Sequence, residues 1–371
     1  MSDFLLPNLP KAQYLAHREE IETAIGRVLD RGIYVLGPEV EAFETAFADY
    51  CGTALAVGVA SGTDAITLVL RALDIGPGDE VITVSHTALA TIAAIDASGA
   101  TPVLVDIDPG NFDMRADQIS GAISDRTKAI IPVHLYGHPA PMDEIAAVAA
   151  AHGLVVIEDC AQAHGAEYGG KRVGGIGVAG CFSFYPTKNM GAIGDGGMIT
   201  CHDAALADRL RALRQYGWDA TRVSHERGVN SRLDEIQAAI LAIKLARFEA
   251  DLARRQKLAN AYDEALVGLD LETPRAAEGC RHAWHQYVIR SDRRDDIARF
   301  LKDRGIGTAI HYPMPAHENP GYAQHVRCVG ELPETTAAAA RVLSLPMYPE
   351  LPTDVPARVG TAIGNFLSTA T

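Results

Sequence analysis

The sequence has little positive charge, few aromatic residues and no long hydrophobic run. Lysine and arginine total 33 against 47 aspartate and glutamate residues, and the formal net charge is −14. An acidic chain without a basic run is a poor partner for nucleic acid or for an anionic membrane surface. No stretch approaches the ~18 apolar residues of a membrane helix, and residues 1–3 lack the basic start of a signal peptide. We therefore expect no signal peptide, and neither nucleic acid nor a membrane among the partners.

Cysteine is also sparse, and no two cysteines have the close spacing of a metal or redox motif. The six positions are Cys51, Cys160, Cys181, Cys201, Cys280 and Cys328. Scattered cysteines are typical of free thiols in a reducing compartment. The sequence thus predicts a soluble cytoplasmic protein, and its 371 residues are enough for two or three domains around a large core.

Strand-like and helix-like segments alternate from about residue 31 to about residue 205. The predicted strands are residues 55–60, 81–86, 101–107, 129–135, 154–159, 179–185 and 198–201. Alternation of this kind indicates an α/β domain built on a mostly parallel sheet. We expect this large domain to cover residues 31–250. It follows an N-terminal arm, residues 1–30, that is mostly one amphipathic helix from about residue 11 to 31.

A long helix is predicted over residues 231–268 and links the large domain to the C-terminal part of the chain. Ser231-Arg232-Leu233-Asp234 has the pattern of a capping box at its start. Two apolar stripes run along this helix, so we expect it to be buried on two sides. Shorter elements are predicted beyond it at residues 285–290 (strand), 293–304 (helix), 308–312 (strand), 334–342 and 353–367 (helices). Residues 251–371 are therefore predicted to form a smaller α+β domain.

One lysine is placed between an apolar strand and a glycine loop. Residues 182–189, FSFYPTKN, end a predicted strand at Pro186 and bring Lys188 to the glycine run 191–197. A lysine in such a place is suited to a carbonyl partner, with which its amine forms a Schiff base. Taken alone, Lys188 is better explained as a surface lysine in a loop, and it is the neighbouring motifs that favour the chemical role.

Asp159 ends a continuous apolar run, residues 153–159, that is typical of a strand buried on both faces of a parallel sheet. Ligands of open α/β sheets bind at the carboxyl ends of strands. A pyridoxal phosphate enzyme needs a lysine for the Schiff base and an aspartate facing the pyridinium nitrogen. By itself, Asp159 is explained as well by a helix N-cap after a strand.

A strand, a glycine turn and a helix start meet at Ser61-Gly62-Thr63. The free amides of a first helical turn and the positive end of the helix dipole make such a turn an anion site. A plain N-cap at Ser61 without a ligand is the alternative.

Together, Lys188, Asp159 and the turn at residues 61–63 resemble the pyridoxal-phosphate-dependent sugar aminotransferases of the DegT/DnrJ/EryC1/StrS family. The similarity extends from about residue 30 to the end of the chain. The matching motifs are the entry segment 33–40, the aspartate motif 158–165 (EDCAQAHG), the lysine loop 182–197 and the segment 228–239 that family members lend to a partner subunit. The resemblance implies a fold type I transferase, with a seven-stranded sheet in the large domain.

The resemblance also implies roles around the cofactor, pyridoxal 5'-phosphate (PLP) and its pyridoxamine form. Lys188 is expected to hold the cofactor and to move the proton, and Asp159 to keep the ring nitrogen protonated. The other implied cofactor contacts are Gly62, Thr63, His86, Gln162, Ser183 and Asn230. His86 would stack on the cofactor ring, although a satisfied histidine at a strand end explains it too.

The same resemblance predicts a homodimer and a sugar substrate. Asn230 would reach the phosphate in the neighbouring subunit, so that active sites are shared. Tyr185, His311 and Tyr312 are the candidates for the sugar pocket. The segment 308–317 resembles members that aminate the 3-keto group of a nucleotide-linked sugar, such as dTDP-3-keto-6-deoxyhexose, with L-glutamate or glutamine as donor. Because Trp218 and the pair Glu318-Asn319 depart from many relatives, C4 amination and amination of a keto-cyclitol stay open.

Other motifs are discounted. Residues 175–180 fit a dinucleotide glycine pattern, but the apolar strand follows them instead of preceding them. The histidine pairs of the chain lack a third ligand at suitable spacing, so we expect no metal. A non-catalytic regulator that senses the cofactor would need a DNA-binding segment, which the acidic balance does not supply. A dehydratase branch of the family carries histidine in place of the lysine, and Lys188 argues against it.

Overall fold

The computed structural model describes residues 4–369, so residues 1–3, part of the predicted N-terminal arm, and residues 370–371 lie outside it. The helices are α1 (Pro10–Ala16), α2 (Arg18–Arg31), α3 (Pro38–Cys51), α4 (Gly62–Ala72), α5 (Leu89–Ser98), α6 (Ala116–Ala122), α7 (Met142–His152), α8 (Ala204–Leu213), α9 (Glu235–Leu266), α10 (Arg294–Lys302), α11 (Pro333–Arg341) and α12 (Val355–Ser368). The strands are β1 (Leu55–Val59), β2 (Glu80–Val84), β3 (Thr101–Val105), β4 (Thr127–Ile130), β5 (Val155–Asp159), β6 (Glu167–Tyr168), β7 (Lys171–Arg172), β8 (Ala179–Ser183), β9 (Gly197–Cys201), β10 (Cys280–Arg281), β11 (Tyr287–Arg290), β12 (Arg327–Cys328) and β13 (Val342–Leu345).

The centre of the molecule is an eight-stranded sheet in the order β1-β9-β8-β5-β4-β2-β3-β12. Strands β12, β3, β2, β4, β5 and β8 are parallel, whereas β9 is antiparallel to both of its neighbours. The α/β class and the mostly parallel sheet are therefore confirmed. All seven predicted strands are present. The eighth strand of the sheet, β12, is only two residues long, which is too short to give a sequence pattern.

Apolar side chains cover both faces of this sheet. On one face, Leu68 of α4 and Leu210 of α8 pack over the strands, and on the other Ile119 of α6 and Ile145 of α7 do so. Removing this surface from water stabilises the fold by roughly 25 cal/mol per Å² of apolar area. Since helices close both faces, a ligand reaches the sheet only at the ends of its strands.

The long helix α9 differs from its prediction at its start. It begins at Glu235, with Asp234 as an N-cap residue that makes no side-chain capping bond. The predicted capping box is therefore wrong. The hydroxyl of Ser231 instead donates to Asp64 (2.6 Å), which lies in the first turn of α4. A contact over 167 residues of sequence has replaced the local one.

Two further elements differ from expectation. The N-terminal helix is divided at His17 into α1 and α2. The strand expected at residues 308–312 is reduced to a single bridge between Ala309 and Ser344, beside the two-stranded sheet of β11 and β13. The bridge between Ala309 and Ser344 joins distant parts of the chain, which a local sequence pattern does not contain.

The C-terminal part of the chain has its own apolar cluster, in which Tyr262 of α9 packs with Tyr287, Ile297 and Val359. The predicted boundary near residue 250 falls inside α9, and the division into an arm, a large domain and a smaller domain stays a prediction. No helix within residues 4–369 has both the length and the apolar character needed to cross a membrane.

Candidate active site

A cavity of about 380 Å³ opens at the carboxyl ends of the parallel strands. It brings together the lysine, the aspartate and the helix start that the sequence singled out. The predicted site residues that line it are Gly62, Thr63, Asp159, Gln162, Ser183, Tyr185, Lys188, His311 and Tyr312. These residues come from separate segments of the chain, and the sheet edge is what gathers them.

Lys188 follows β8 in a tight turn that its own amide closes by donating to the carbonyl of Tyr185 (2.8 Å). The turn requires Gly191, because a Cβ there would lie 2.3 Å from the carbonyl oxygen of Pro186. Burial disfavours the charged amine and lowers the pKa of Lys188 to about 8, against the opposing pull of Asp159. Near neutral pH, the neutral form of this amine is thus far more populated than for a surface lysine.

Asp159 is the last residue of β5 and is almost fully buried (5% exposed). Its Oδ2 accepts a hydrogen bond from Thr91 Oγ1 (2.8 Å), and its Oδ1 accepts one from the amide of Ala161 (3.1 Å). The carboxylate is therefore held in one orientation at the cavity wall, as a fixed negative group facing the space that Lys188 also borders.

The start of α4 forms a third side of the cavity. Ser61 caps the helix by accepting from the amide of Asp64 (3.1 Å), so the N-cap interpretation of its side chain is correct. The amides of Gly62 and Thr63 belong to the first turn, where the helix offers them no acceptor. A Cβ on Gly62 would lie 2.7 Å from Cβ of Ser183, so the helix approaches β8 as closely as the backbone allows. The turn keeps its amides available for an anion.

Gln162 lies in the turn after β5, where no helix begins. Its side-chain oxygen accepts from the amide of Tyr136 (2.8 Å), and its nitrogen donates to the hydroxyl of Tyr312 (2.9 Å). The two bonds fix which end of the amide is which. Gln162 and Tyr312 thus form one polar wall of the cavity.

Two predicted site residues do not line the cavity within this chain. His86 is buried, and its Nε2 lies 2.8 Å from the hydroxyl of Tyr136. Its ring packs beside Phe112, while the next two residues, Thr87 and Ala88, face the cavity. Asn230 is exposed and forms a single antiparallel bridge with Gln215.

His285, which is not among the predicted site residues, also lines the cavity. Asn189 donates to the carbonyl of Ala283 (2.8 Å), which turns its oxygen toward Nδ1 of His285 (3.1 Å). Nδ1 therefore carries the proton, and Nε2 has a free lone pair. Burial and the nearby charge of Lys188 keep the pKa of His285 well below its usual value. Its one signal in the sequence is its place next to Trp284 at the start of a strand, which is too weak to single it out.

The glycine-rich segment around residues 174–177, which overlaps the discounted dinucleotide pattern, has a structural role. Amides of Gly174, Ile176 and Gly177 donate to the carboxylate of Glu158 at 2.8 Å each. His134 faces the same carboxylate at 3.2 Å. With Cys160, Glu158 and His134 form the one group in residues 4–369 that could hold a metal ion. Because the carboxylate oxygens already accept hydrogen bonds from backbone amides, we assign no metal here.

The residues of the cavity fit PLP. Lys188 offers an amine of lowered pKa, Asp159 offers a fixed carboxylate, and the first turn of α4 offers amides for a phosphate. These are the three groups that the aldehyde, the ring nitrogen and the phosphate of this cofactor need. Solved structures with this fold include forms with PLP and with its pyridoxamine form, PMP.

Comparison with known proteins gives one consistent result. Residues 16–364 match the model of the DegT/DnrJ/EryC1/StrS aminotransferase family. A dTDP-3-amino-3,4,6-trideoxy-alpha-D-glucose transaminase from Streptomyces venezuelae is 48% identical over 358 residues, 96% of this chain and 94% of that protein. A UDP-N-acetyl-3-dehydro-alpha-D-glucosamine 3-aminotransferase from Acidithiobacillus ferrooxidans is also 48% identical, over 96% of each chain.

The fold comparison agrees with the sequence comparison. The crystal structure of DesV from S. venezuelae superimposes with a TM-score of 0.96 at 46% identity, covering 99% of both chains. The similarity therefore extends over the whole architecture and is not limited to the cavity.

Proposed function

This chain belongs to the DegT/DnrJ/EryC1/StrS aminotransferase family, and we propose that it transfers an amino group from L-glutamate or glutamine to the C3 keto group of a nucleoside-diphosphate-linked keto-deoxy sugar. Its class, a PLP-dependent sugar aminotransferase, follows from the family. The observation that carries the proposal is the cavity that Lys188 and Asp159 share with the start of α4.

Lys188 is the proposed attachment point and proton carrier. When bound, PLP supplies an aldehyde that takes the amino group and a ring that accepts electrons. With a pKa of about 8, the amine of Lys188 can accept a proton from the donor's α-carbon and pass it to a second carbon at neutral pH. Asp159 is the proposed partner of the ring nitrogen, where its negative charge favours the protonated ring.

The phosphate end of the cofactor is proposed to lie at the start of α4. The first-turn amides of Gly62 and Thr63 and the hydroxyl of Ser183 border that end of the cavity. The helix dipole adds a favourable interaction of about 0.3–1 kcal/mol for an anion at this position. Gln162 is proposed to lie beside the ring hydroxyl, on the wall that it forms with Tyr312. His86 stays a proposed ring neighbour, although the side chain here turns toward Tyr136.

We propose a homodimer whose active sites are shared. Asn230, which the family resemblance assigns to the phosphate, is exposed and lies outside the cavity of its own chain. Large apolar side chains are exposed in the segment before α3, namely Ile33 (45%), Tyr34 (51%) and Val35 (41%). A second copy that covers this segment would remove apolar surface from water and bring its own Asn230 to the neighbouring site.

The sugar is proposed to lie against Tyr185, His311 and Tyr312 at the open side of the cavity. Tyr185 is 52% exposed and free to contact a substrate, whereas His311 is fixed by Ser344 (2.9 Å). The named relatives act on both dTDP and UDP sugars, and both names place the amino group at C3. We therefore propose C3 as the position and leave the nucleotide to the assay.

The free state of all six cysteines supports a reducing, cytoplasmic compartment.

The absorption spectrum of the purified protein loaded with PLP tests the proposal. We expect a visible band that disappears on addition of L-glutamate or glutamine and returns with the correct keto sugar. Lys188→Ala should lack the band, and Lys171→Ala, which removes an exposed lysine on β7, should keep it. A panel of 3-keto and 4-keto dTDP and UDP sugars and keto-cyclitols then identifies the acceptor. A band indifferent to both donors would contradict the proposal and favour a cofactor-sensing regulator.

A further inference from the structure

Two threonines lie behind Asp159 in the wall of the cavity. Thr91 Oγ1 donates a hydrogen bond of 2.8 Å to Oδ2 of Asp159. The hydroxyl oxygens of Thr87 and Thr91 lie 2.9 Å apart. Both threonines are buried, and Thr91 has no exposed surface. Water therefore cannot replace these bonds without a rearrangement of the wall.

The direction of these bonds follows from counting protons. A threonine hydroxyl has one proton to give. Thr91 gives its proton to Asp159, so the proton between the two threonines must come from Thr87. The result is a hydrogen-bond chain that runs from Thr87 through Thr91 and ends on the carboxylate. Thr87, which lines the cavity, has its proton turned inward.

The helix α5, which carries Thr91, is held in place by its own hydrogen bonds and by packing. Thr91 lies in the first turn of α5, and its amide donates to the carbonyl of Ala88 (3.1 Å). Thr87 lies outside the helix, directly before its N-cap residue Ala88. The helix is anchored by Ile92 and Ile95, which have no exposed surface. The hydroxyl of Thr91 is thus held at a fixed place with respect to β5.

We propose that Thr91 is a positioning residue for Asp159, and that Thr87 supports it through the hydrogen-bond chain. The inference rests on the proposed function, because it concerns the carboxylate that would face the ring nitrogen of the cofactor. The amide of Ala161 holds Oδ1, and Thr91 holds Oδ2 from a different element. Without Thr91 the carboxylate keeps only the hydrogen bond from the amide of Ala161, and it turns more freely about its Cβ–Cγ bond.

Thr91→Val in the PLP-loaded enzyme is the direct test, since it removes the hydroxyl and keeps the shape. We expect kcat to fall about 10- to 100-fold, the range for losing one hydrogen bond to a charged group, with KM for the sugar nearly unchanged. The visible band should shift in the same direction as in Asp159→Asn. Thr91→Ser should restore the band, and Thr87→Val should show a smaller shift than Thr91→Val.

Thr83→Val is the matched control. Thr83 is also fully buried, on the strand that leads into the same turn, and its hydroxyl donates to the carbonyl of Ile131 (2.8 Å). The Thr83→Val variant loses the same hydroxyl group but has no contact with Asp159, so its visible band should equal that of the unsubstituted enzyme. If Thr91→Val matches Thr83→Val, or if Thr91→Ser shifts the band as much as Thr91→Val, the proposal is overturned.

A second pair of variants covers the case in which Thr91→Val does not fold. Thr91→Ala and Thr91→Ser both lack the methyl group and differ only in the hydroxyl. A shifted band in the first and a normal band in the second supports the proposal, and equal bands overturn it. The spectrum of the unsubstituted enzyme distinguishes a failure of the positioning role from a failure of the proposed function. If it responds to glutamate and the threonine variants do not differ, only the positioning role fails. If it has no visible band, the proposed function fails, and the positioning role fails with it.

Discussion

The carboxylate of Glu235 accepts a hydrogen bond of 2.9 Å from the amide of Gly37, 198 residues earlier in the chain. The same carboxylate accepts from the amides of Glu39 (3.0 Å) and Val40 (2.8 Å). The first residue of α9 thus caps the first turn of α3 from outside. This contact holds the segment that carries the exposed residues Ile33, Tyr34 and Val35.

Replacing Glu235 with glutamine should destabilise both this helix start and the proposed dimer. Oε1 of Glu235 accepts from Gly37 and Val40, and Oε2 accepts from Glu39. A glutamine side chain keeps only one of these oxygens and turns an NH2 group toward the other position, so at least one amide loses its acceptor. We expect a loss of about 1–3 kcal/mol in the free energy of unfolding, measured by urea denaturation, and a weaker dimer by sedimentation. Glu264→Gln, on the exposed part of the same helix, is the control and should change neither quantity. Equal stability of the two variants would show that the cap is unimportant.

Gly62→Ala should weaken cofactor binding. The added Cβ would lie 2.7 Å from Cβ of Ser183, so either α4 or β8 must move, and the proposed phosphate contact moves with it. We expect the dissociation constant for PLP to rise by about tenfold or more, which corresponds to ~1.4 kcal/mol. Fluorescence titration of the cofactor-free protein measures it. Gly26→Ala is the control, since a Cβ at this position in α2 meets nothing within 4 Å, and it should bind PLP normally.

The lowered pKa of Lys188 predicts how the rate of cofactor attachment depends on pH. The neutral amine is the nucleophile, and burial favours it over the charged form, so the rate should rise as pH increases and level off above a midpoint of about 8. An ordinary lysine would have its midpoint at about 10.4. Stopped-flow mixing of cofactor-free protein with PLP at a series of pH values gives the curve. A midpoint close to that of an ordinary lysine would contradict the effect of burial.

The sequence predicted those parts of the site that follow from strand ends. Asp159 ends an apolar strand and Lys188 follows another after a short turn, and parallel strands bring such positions to one edge of the sheet. The glycine turn at residues 61–63 was predictable for the same reason, because it joins the end of a strand to a helix. The local sequence pattern was therefore enough to identify the main functional residues of the cavity, and the family resemblance identified the cofactor.

Residues whose role depends on distant contacts were not predictable. Ser231 fits a capping box by its spacing, yet it bonds to Asp64 because the fold brings α4 beside it. Thr91 is one of many threonines in apolar helices, and only the structure places it against Asp159. His86 has the right position in the sequence, but its side chain turns toward Tyr136. Side-chain direction is set by packing, which a single sequence does not reveal.

Shared active sites predict that two inactive variants restore each other. Lys188→Ala removes the amine from the chain's own cavity, whereas Asn230→Ala removes a group that the chain is proposed to lend. Each homodimer then has two damaged sites. A mixed dimer has one site with both defects and one intact site, so random exchange of subunits should recover about a quarter of the full activity. Co-expression of the two variants, followed by an aminotransferase assay, measures the recovery.

The control for this experiment pairs Lys188→Ala with Asp159→Ala. Both residues line the cavity of their own chain, so a mixed dimer contains no intact site and activity should not return. Recovery with Asn230→Ala but not with Asp159→Ala would establish that Asn230 acts across the subunit boundary. If neither pair recovers, Asn230 serves its own chain or no dimer forms, and sedimentation of the unsubstituted protein separates these cases. A monomer that is fully active would overturn the shared site altogether.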